Sequence, residues 1–367
     1  MTPNDPRREQ ILATLRQLSE APGVPGHEDP VREIFLQAWK DVGPLQSDRL
    51  GSLVCRSDGS QQNPSVLIDC HIDETGFLVQ SIDENGFLRV VPLGSWWGHV
   101  LLSQRVQIQT RTGSVPGTFS APPPHLLPRS AREKVVGVKD LRIDIGAESR
   151  QQAEEEFGIR LGNPVSPSTP FLPLAHPDRF SGKAFDNRAG STVVLQTLLE
   201  AGTDHPNTLF GVASVQEEVG CRGATTAVRL VDPDIALVIE GSPADDLPGV
   251  KDQGRQGQLG KGTQIRLFDP RLIANPFLAD LAIRTAEEEK IPHQISVNPT
   301  GGTDGRPIHL HDRGVPTIVL GVPVRSIHCH VGSLDLRDLI ATIDLTLALI
   351  RRLDPPTVEA IHQRRTP

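Results

Sequence analysis

Apolar positions at the start of the chain recur every three or four residues. In "REQILATLRQLSEA" they place Ile11, Leu12, Leu15 and Leu18 on one face, and "EDPVREIFLQAWKDVG" repeats the pattern before a glycine stop, so two amphipathic helices are predicted. Strands are predicted near 51–56 and 65–70. From about 74 to 175 the texture changes to short apolar runs punctuated by turns, as in "GFLVQSI", "DENG", "FLRVVPLG", "RVQIQT", "RTGS", "KVVGV" and "LRIDIG". This is the pattern of a small all-β unit, with the Pro-rich "SAPPPHLLPRS" as a loop inside it. After "SGKAFDNRAG" helices and strands alternate: "STVVLQTLLEAG", "NTLFGVASV", "GATTAVRLV", "IALVIEG", a helix near 276–290, "PTIVLGV" and a last helix "LDLRDLIATIDLTLALIRRL". Such alternation predicts a mainly parallel sheet covered by helices. The expected fold class is therefore α/β with an inserted all-β barrel, the α/β domain comprising 1–73 and 176–367 and the insert 74–175.

A length of 367 residues suits two units better than one small core. The composition, 37% hydrophobic and 22% charged without long like-charge blocks, is that of a globular protein. A net charge of -8 argues against nucleic acid and anionic membranes as partners. The start, "MTPNDPRREQ", is polar and no long apolar run appears anywhere, so a cytoplasmic protein is expected. Cys55, Cys70, Cys221 and Cys329 are scattered without a CxxC pair, which speaks against a disulfide framework or a structural zinc knuckle.

The chemistry begins at "VLIDCHIDETGFLV", where an apolar strand is followed by Asp69, His71, Asp73 and Glu74. In open α/β sheets ligands bind beyond the carboxyl ends of the strands. The strand "SVLID" runs into His71 and Asp73, "FGVASV" into Glu217 and Glu218, "IALVI" into Glu240, and "PTIVLGV" leads through "PVRSI" to His328, while "KAFDNRAG" sets Asp186 before a helix start. Two imidazoles and three carboxylates suit borderline cations such as zinc or cobalt, and a bridging carboxylate lets five side chains hold two metal ions. Asp186, short and close to a helix start, is the best bridge. Adjacent residues of an extended segment point to opposite sides, so Glu218 can ligate while Glu217 stays free as a general base. Taken singly, each histidine could be structural, Asp186 a helix cap, and the Glu217–Glu218 pair a solvated turn; jointly this needs five coincidences at one edge. His330 competes with His328 as a ligand.

"HIDETGFLV", "GKAFDNRAG", "QEEVGCRGA", "EGSPADDLPG", "GGTDGRPIH" and "RSIHCHVG" together resemble the dinuclear zinc aminopeptidases of the tetrahedral aminopeptidase family, which includes glutamyl aminopeptidases and members labelled cellulase M. The likeness runs from "GVPGHEDPVREI" to the last helix. It implies a zinc-peptidase-like domain acting on peptide substrates, with His71, Asp186 and Glu240 on one metal and Asp186, Glu218 and His328 on the other. It also implies Glu217 as general base and Asp73 as the carboxylate that orients His71. The analogous insert pairs subunits into dimers that build a hollow dodecamer, so a homo-oligomer is expected, and the short strands of the β unit offer edges that need covering. Glu74 is expected to begin that insert. Three positions depart from the common pattern: Glu240 where many members have Asp, Cys70 where Ala is frequent, and Asn187 where Asp is also common. The substrate pocket is expected to draw on "GGTDGRPIH" and "SWWGHV". Cleavage of another amide, such as an acylated amino acid, and a catalytically silent self-assembling protein are the alternatives. A sugar hydrolase fits poorly, because glycosidases typically use two facing carboxylates without a metal pair.

Overall fold

The structure, a computed structural model, describes residues 5–249 and 256–366; the first four residues of the polar start lie outside the described residues. Helices α1 (Pro6–Glu20) and α2 (Asp29–Trp39) open the chain. Asp5 caps α1 by accepting the Arg7 amide at 2.9 Å, and Pro6 supplies a preset first turn. Their apolar stripes, Ile11, Leu15 and Leu18 with Val31, Phe35 and Trp39, are buried in the main core.

Strands β1 (Leu45–Ser47), β2 (Leu53–Asp58) and β3 (Ser65–His71) follow. The chain then leaves for the barrel, made of β4 (Gly76–Ile82), β5 (Leu88–Leu93), β6 (Arg105–Thr110), β7 (Gly113–Phe119), β8 (Ile143–Asp144) and β9 (Pro164–Pro167), with α3 (Arg129–Arg132) and α4 (Arg150–Glu155) in its connections. These six strands close in the order β4-β5-β8-β7-β6-β9 around a separate core that includes Phe77, Val106, Ile108 and Phe119. Closure pairs the strand edges within the barrel, so the open edges expected from the sequence are already covered.

The main sheet resumes with β10 (Leu172–Pro173) and β11 (Arg179–Gly182), then α5 (Phe185–Ala201), β12 (Thr208–Ser214), α6 (Arg222–Val231), β13 (Ile235–Pro243), β14 (Thr263–Asp269), β15 (Leu272–Ile273), α7 (Pro276–Glu288), β16 (His293–Val297), α8 (Gly305–His309), β17 (Thr317–Arg325), β18 (Gly332–Asp335), α9 (Leu336–Arg352) and α10 (Pro355–His362). Its order is β1-β2-β12-β3-β13-β17-β18-β11-β10, with β14 joining β17 and carrying β15 and β16. The centre, β12-β3-β13-β17, is parallel and both wings turn antiparallel. Central strands are apolar on both faces: Val66, Ile68 and Cys70 of β3 enter the core shared with α1, α2, α5 and α9, whereas Leu67 enters the opposite cluster with Ala224, Val228 and Ile308. That two-sided burial fixes where each central strand ends, and hence which residues reach the carboxyl edge. Among the described residues no helix is long and apolar enough to cross a membrane.

Candidate active site

His71 closes β3 and is buried, its Nδ1 3.2 Å from Asp73 Oδ1 and its Nε2 3.2 Å from Asp186 Oδ1 and 3.5 Å from Glu240 Oε2. Across the same carboxylate, His328 Nε2 lies 3.0 Å from Asp186 Oδ2 and 3.5 Å from Glu218 Oε1. Two clusters result, His71 with Asp186 and Glu240, and Asp186 with Glu218 and His328; in each, the candidate ligand atoms lie within 4.8 Å of one another. Asp186 belongs to both.

Local backbone explains how each segment delivers its side chain. Asp186 stands where α5 is broken: Ala184 is left-handed with φ 57°, and Asp186 and Asn187 leave helical geometry before the helix proper begins. Asn187, to which the sequence assigned nothing, fastens this break by donating to the Ile239 carbonyl at 2.8 Å, next to Glu240, and accepting the Gly190 amide at 2.9 Å. His328 also sits in left-handed backbone, with φ 56°, after β17. Gln216, with φ 59°, turns the chain after β12; its amide donates to buried Glu28 at 3.1 Å, and the amides of Glu217 and Glu218 both donate to Asp73 at 3.0 Å. Asp73 therefore fixes both the His71 ring and the Glu217–Glu218 turn.

That turn corrects the sequence argument about the pair. The amides of Gly220 and Cys221 both return to the Glu217 carbonyl, so the segment turns here and is not extended. Both side chains open onto the cavity, with atoms near His71, but they diverge within it: Glu218 goes to His328, and Glu217 to Cys221 Sγ at 3.4 Å and toward Asp304. His330 is not brought to the cluster; it packs against Trp96 and Phe119 of the barrel, with ring centroids 5.5 and 6.3 Å away. Cys70 faces the neighbouring strand, its Sγ 3.6 Å from the Val212 carbonyl. Glu74 does more than begin the insert: its side chain turns back into the α/β domain and meets Lys183 Nζ at 2.6 Å.

Electrostatics follow from burying many acids together. Burial and neighbouring Asp186 push Glu218 up to about 8, and burial pushes Glu217 well above the usual carboxylate range. Asp186 is the exception: burial would raise it, yet His328 and His71 hold it well below its ordinary value. Asp304 lies in "GGTDGRPIH" without an assigned role; it is buried, accepts Ser214 Oγ at 2.7 Å, and is pushed up to about 7 by burial. Its sequence signal is a carboxylate among the glycines of that motif, but only folding brings it to face Glu217 and Cys221.

The cluster forms the floor of a cavity of about 800 Å³, to which "GGTDGRPIH" contributes Gly301 to Thr303 and Arg306, and "SWWGHV" contributes Ser95. Arg266, Arg271 and Arg306 line it, and the guanidiniums of Arg271 and Arg306 have no hydrogen-bond or ion-pair partner among the described residues. Asp245, also on the wall, already accepts the amides of Gln256 and Gly257 at 2.9 to 3.1 Å.

An α/β sheet that gathers imidazoles and carboxylates at its carboxyl edge, with a closed barrel inserted after the first of them, is the build of a metallo-exopeptidase. Residues 51–345 match the family model described as M42 glutamyl aminopeptidase, and the chain belongs to that family. It is accordingly a hydrolase of the exopeptidase type. The glutamyl aminopeptidase of Lactococcus lactis subsp. cremoris is 34% identical over 96% of this chain and 99% of its own. Among solved structures, a TET aminopeptidase from a marine sediment Thaumarchaeota archaeon is 40% identical with a TM-score of 0.92, covering 97% of this chain and 99% of that one. The Pyrococcus horikoshii TET1 peptidase, which can assemble into a tetrahedron or a large octahedral shell, is 29% identical with a TM-score of 0.82 over 94% of this chain and 100% of its own.

Proposed function

We propose that this protein is a metal-dependent aminopeptidase that releases N-terminal residues from peptides with two divalent cations, zinc or cobalt, and Glu217 as general base. The observation that carries this is the pair of clusters sharing Asp186: two sets of imidazole and carboxylate atoms, each within 4.8 Å, at one sheet edge. The buried Glu218 Oε1 lacks a hydrogen-bond partner, which suits an oxygen reserved for a cation. His71, Asp186 and Glu240 would hold one ion, and Asp186, Glu218 and His328 the other. Bound there, such a pair supplies polarisation of the scissile carbonyl and a lowered pKa for water.

The protein's own groups do the rest. With a cation bound, His71 would donate from Nδ1 to Asp73 and turn its Nε2 lone pair to the ion, on the side where Asp186 and Glu240 lie. Glu217 takes a proton from the attacking water and returns it to the leaving amine. The unpaired guanidiniums of Arg271 and Arg306 favour an N-terminal residue with a carboxylate side chain. We extend the reading to assembly: residues 74–175, which carry none of the five candidate ligands, serve to join subunits into a homo-oligomer of the kind the TET1 peptidase forms. Turnover of glutamyl-, leucyl-, lysyl- and N-acetylated anilides, with and without zinc, cobalt or manganese, tests the activity. Metal-dependent release from free amino termini, fastest with glutamate, is expected; cleavage of the acylated compounds alone would favour a deacylase instead.

A further inference from the structure

Three charged side chains with no part in the proposed chemistry lie buried between the segments that carry His71 and Asp186. Glu74 stands three residues beyond His71, whereas Lys183 and Arg188 bracket Asp186, and all three are almost inaccessible. Lys183 Nζ donates to Glu74 Oε1 at 2.6 Å, and Arg188 Nη2 approaches the same oxygen at 3.7 Å. Their remaining bonds converge on the last turn of α1 and its link to α2. Lys183 Nζ donates to the Ala21 carbonyl at 3.0 Å, and Arg188 Nη1 to the carbonyls of Leu18 and Ala21 at 2.7 and 3.2 Å. The Gly23 amide donates to Glu74 Oε1 at 3.1 Å, and the Glu74 amide to the Gly23 carbonyl at 2.9 Å. Position 23 has room only for glycine, since a Cβ there would lie 2.8 Å from both Arg188 Nη2 and Val31 Cγ2.

Burying ions in place of apolar groups rarely adds stability, and burial here pulls the Lys183 ammonium down to about 8. What the cluster does supply is registration. A strand end and the broken start of a helix meet at the site, where His71 Nε2 lies 3.2 Å from Asp186 Oδ1 and Ser191 Oγ donates to the His71 carbonyl at 3.0 Å. We propose that Glu74, Lys183 and Arg188 form an ionic clamp that sets the separation of His71 and Asp186, and through it the metal affinity of the site. They are positioning residues: the side-chain bonds of Lys183 and Arg188 go to Glu74 and to the carbonyls of Leu18, Ala21 and Gly23, none of them a candidate ligand. The inference rests on the two-cation reading above.

Two variants test it. Lys183→Met opens the clamp but leaves Glu74 buried and unpaired; Glu74→Gln combined with Lys183→Met removes both charges and carries the test if the single variant does not fold. Zinc affinity of the metal-free proteins is measured by competition with a chromophoric chelator, alongside circular dichroism and Tm. We expect the double variant to fold and to bind zinc at least about tenfold more weakly, as loss of partners that orient metal ligands does, with activity recovered at raised zinc. A folded double variant with wild-type affinity at both sites would overturn the clamp even if its Tm fell, because a packing role alone moves Tm and leaves affinity in place. Wild-type protein that binds no zinc would sink the two-cation reading and the clamp with it, and that outcome is visible before any variant is made.

Discussion

Asp186 faces two imidazoles, His71 Nε2 at 3.2 Å and His328 Nε2 at 3.0 Å, and in the metal-free protein protons satisfy those contacts. Burial alone would lower the pKa of His328, but Asp186 and Glu218 hold it up at about 9, against an ordinary 6.5. A histidine raised in this way stabilises the metal-free fold fully below 6.5, and that contribution is lost as the pH climbs through about 9. Zinc held by His328 as proposed would displace the same proton. The rise in Tm on adding zinc is therefore expected to grow between pH 6.5 and 9; a constant or shrinking rise would contradict proton–metal competition at His328. Glu217 and Glu218 part company under substitution. Glu217→Gln should lower kcat by about 10²–10⁴-fold with metal content unchanged, whereas Glu218→Gln should also lose or weaken one metal; near-normal turnover of Glu217→Gln in steady-state assays would remove it as the base. The residues that converge were legible because imidazoles and carboxylates stood just past apolar strands. Their supports were not: Glu28, Asn187 and Lys183 act through partners 188, 52 and 109 residues away, which no local pattern reveals.

At the scale of elements, the break that opens α5 is what lets Asp186 face the site instead of the helix axis. Asn187 holds the break with two buried hydrogen bonds, one to the Ile239 carbonyl of β13 and one from the Gly190 amide of α5 itself. Asn187→Ala strands the Ile239 carbonyl and the Gly190 amide, and should cost roughly 1–3 kcal/mol, read as a lower urea midpoint together with weaker zinc binding. Unchanged stability and zinc affinity would show that the break is held by its neighbours alone. The helix itself was legible in "STVVLQTLLEAG", but the broken turn before it was not, since "AFDNRAG" continues smoothly into a helical pattern. The Glu217–Glu218 turn failed for a related reason: the strand pattern of "FGVASV" gives no sign that Gln216 enters left-handed backbone.

In the whole molecule, the barrel strands, from Gly76 to Pro167, stand apart in the sequence as short apolar runs between turns, whereas Leu172–Pro173, inside the expected insert of 74–175, pairs in the main sheet. The antiparallel wings were not legible, since strands as short as Leu172–Pro173 and Gly332–Asp335 carry too few positions to show a period. Assembly through the barrel predicts a particle of several subunits by light scattering at micromolar concentration in metal-replete buffer; a fully active monomer would refute that part of the account. On the proposed reading, peptide hydrolysis rests on a requirement for two cations sharing Asp186. That requirement is tested most directly by titrating metal-free protein with zinc while following release of the N-terminal amino acid. Activity should rise to a plateau at two equivalents per chain; a plateau at one equivalent, or full activity before any zinc is added, would contradict it.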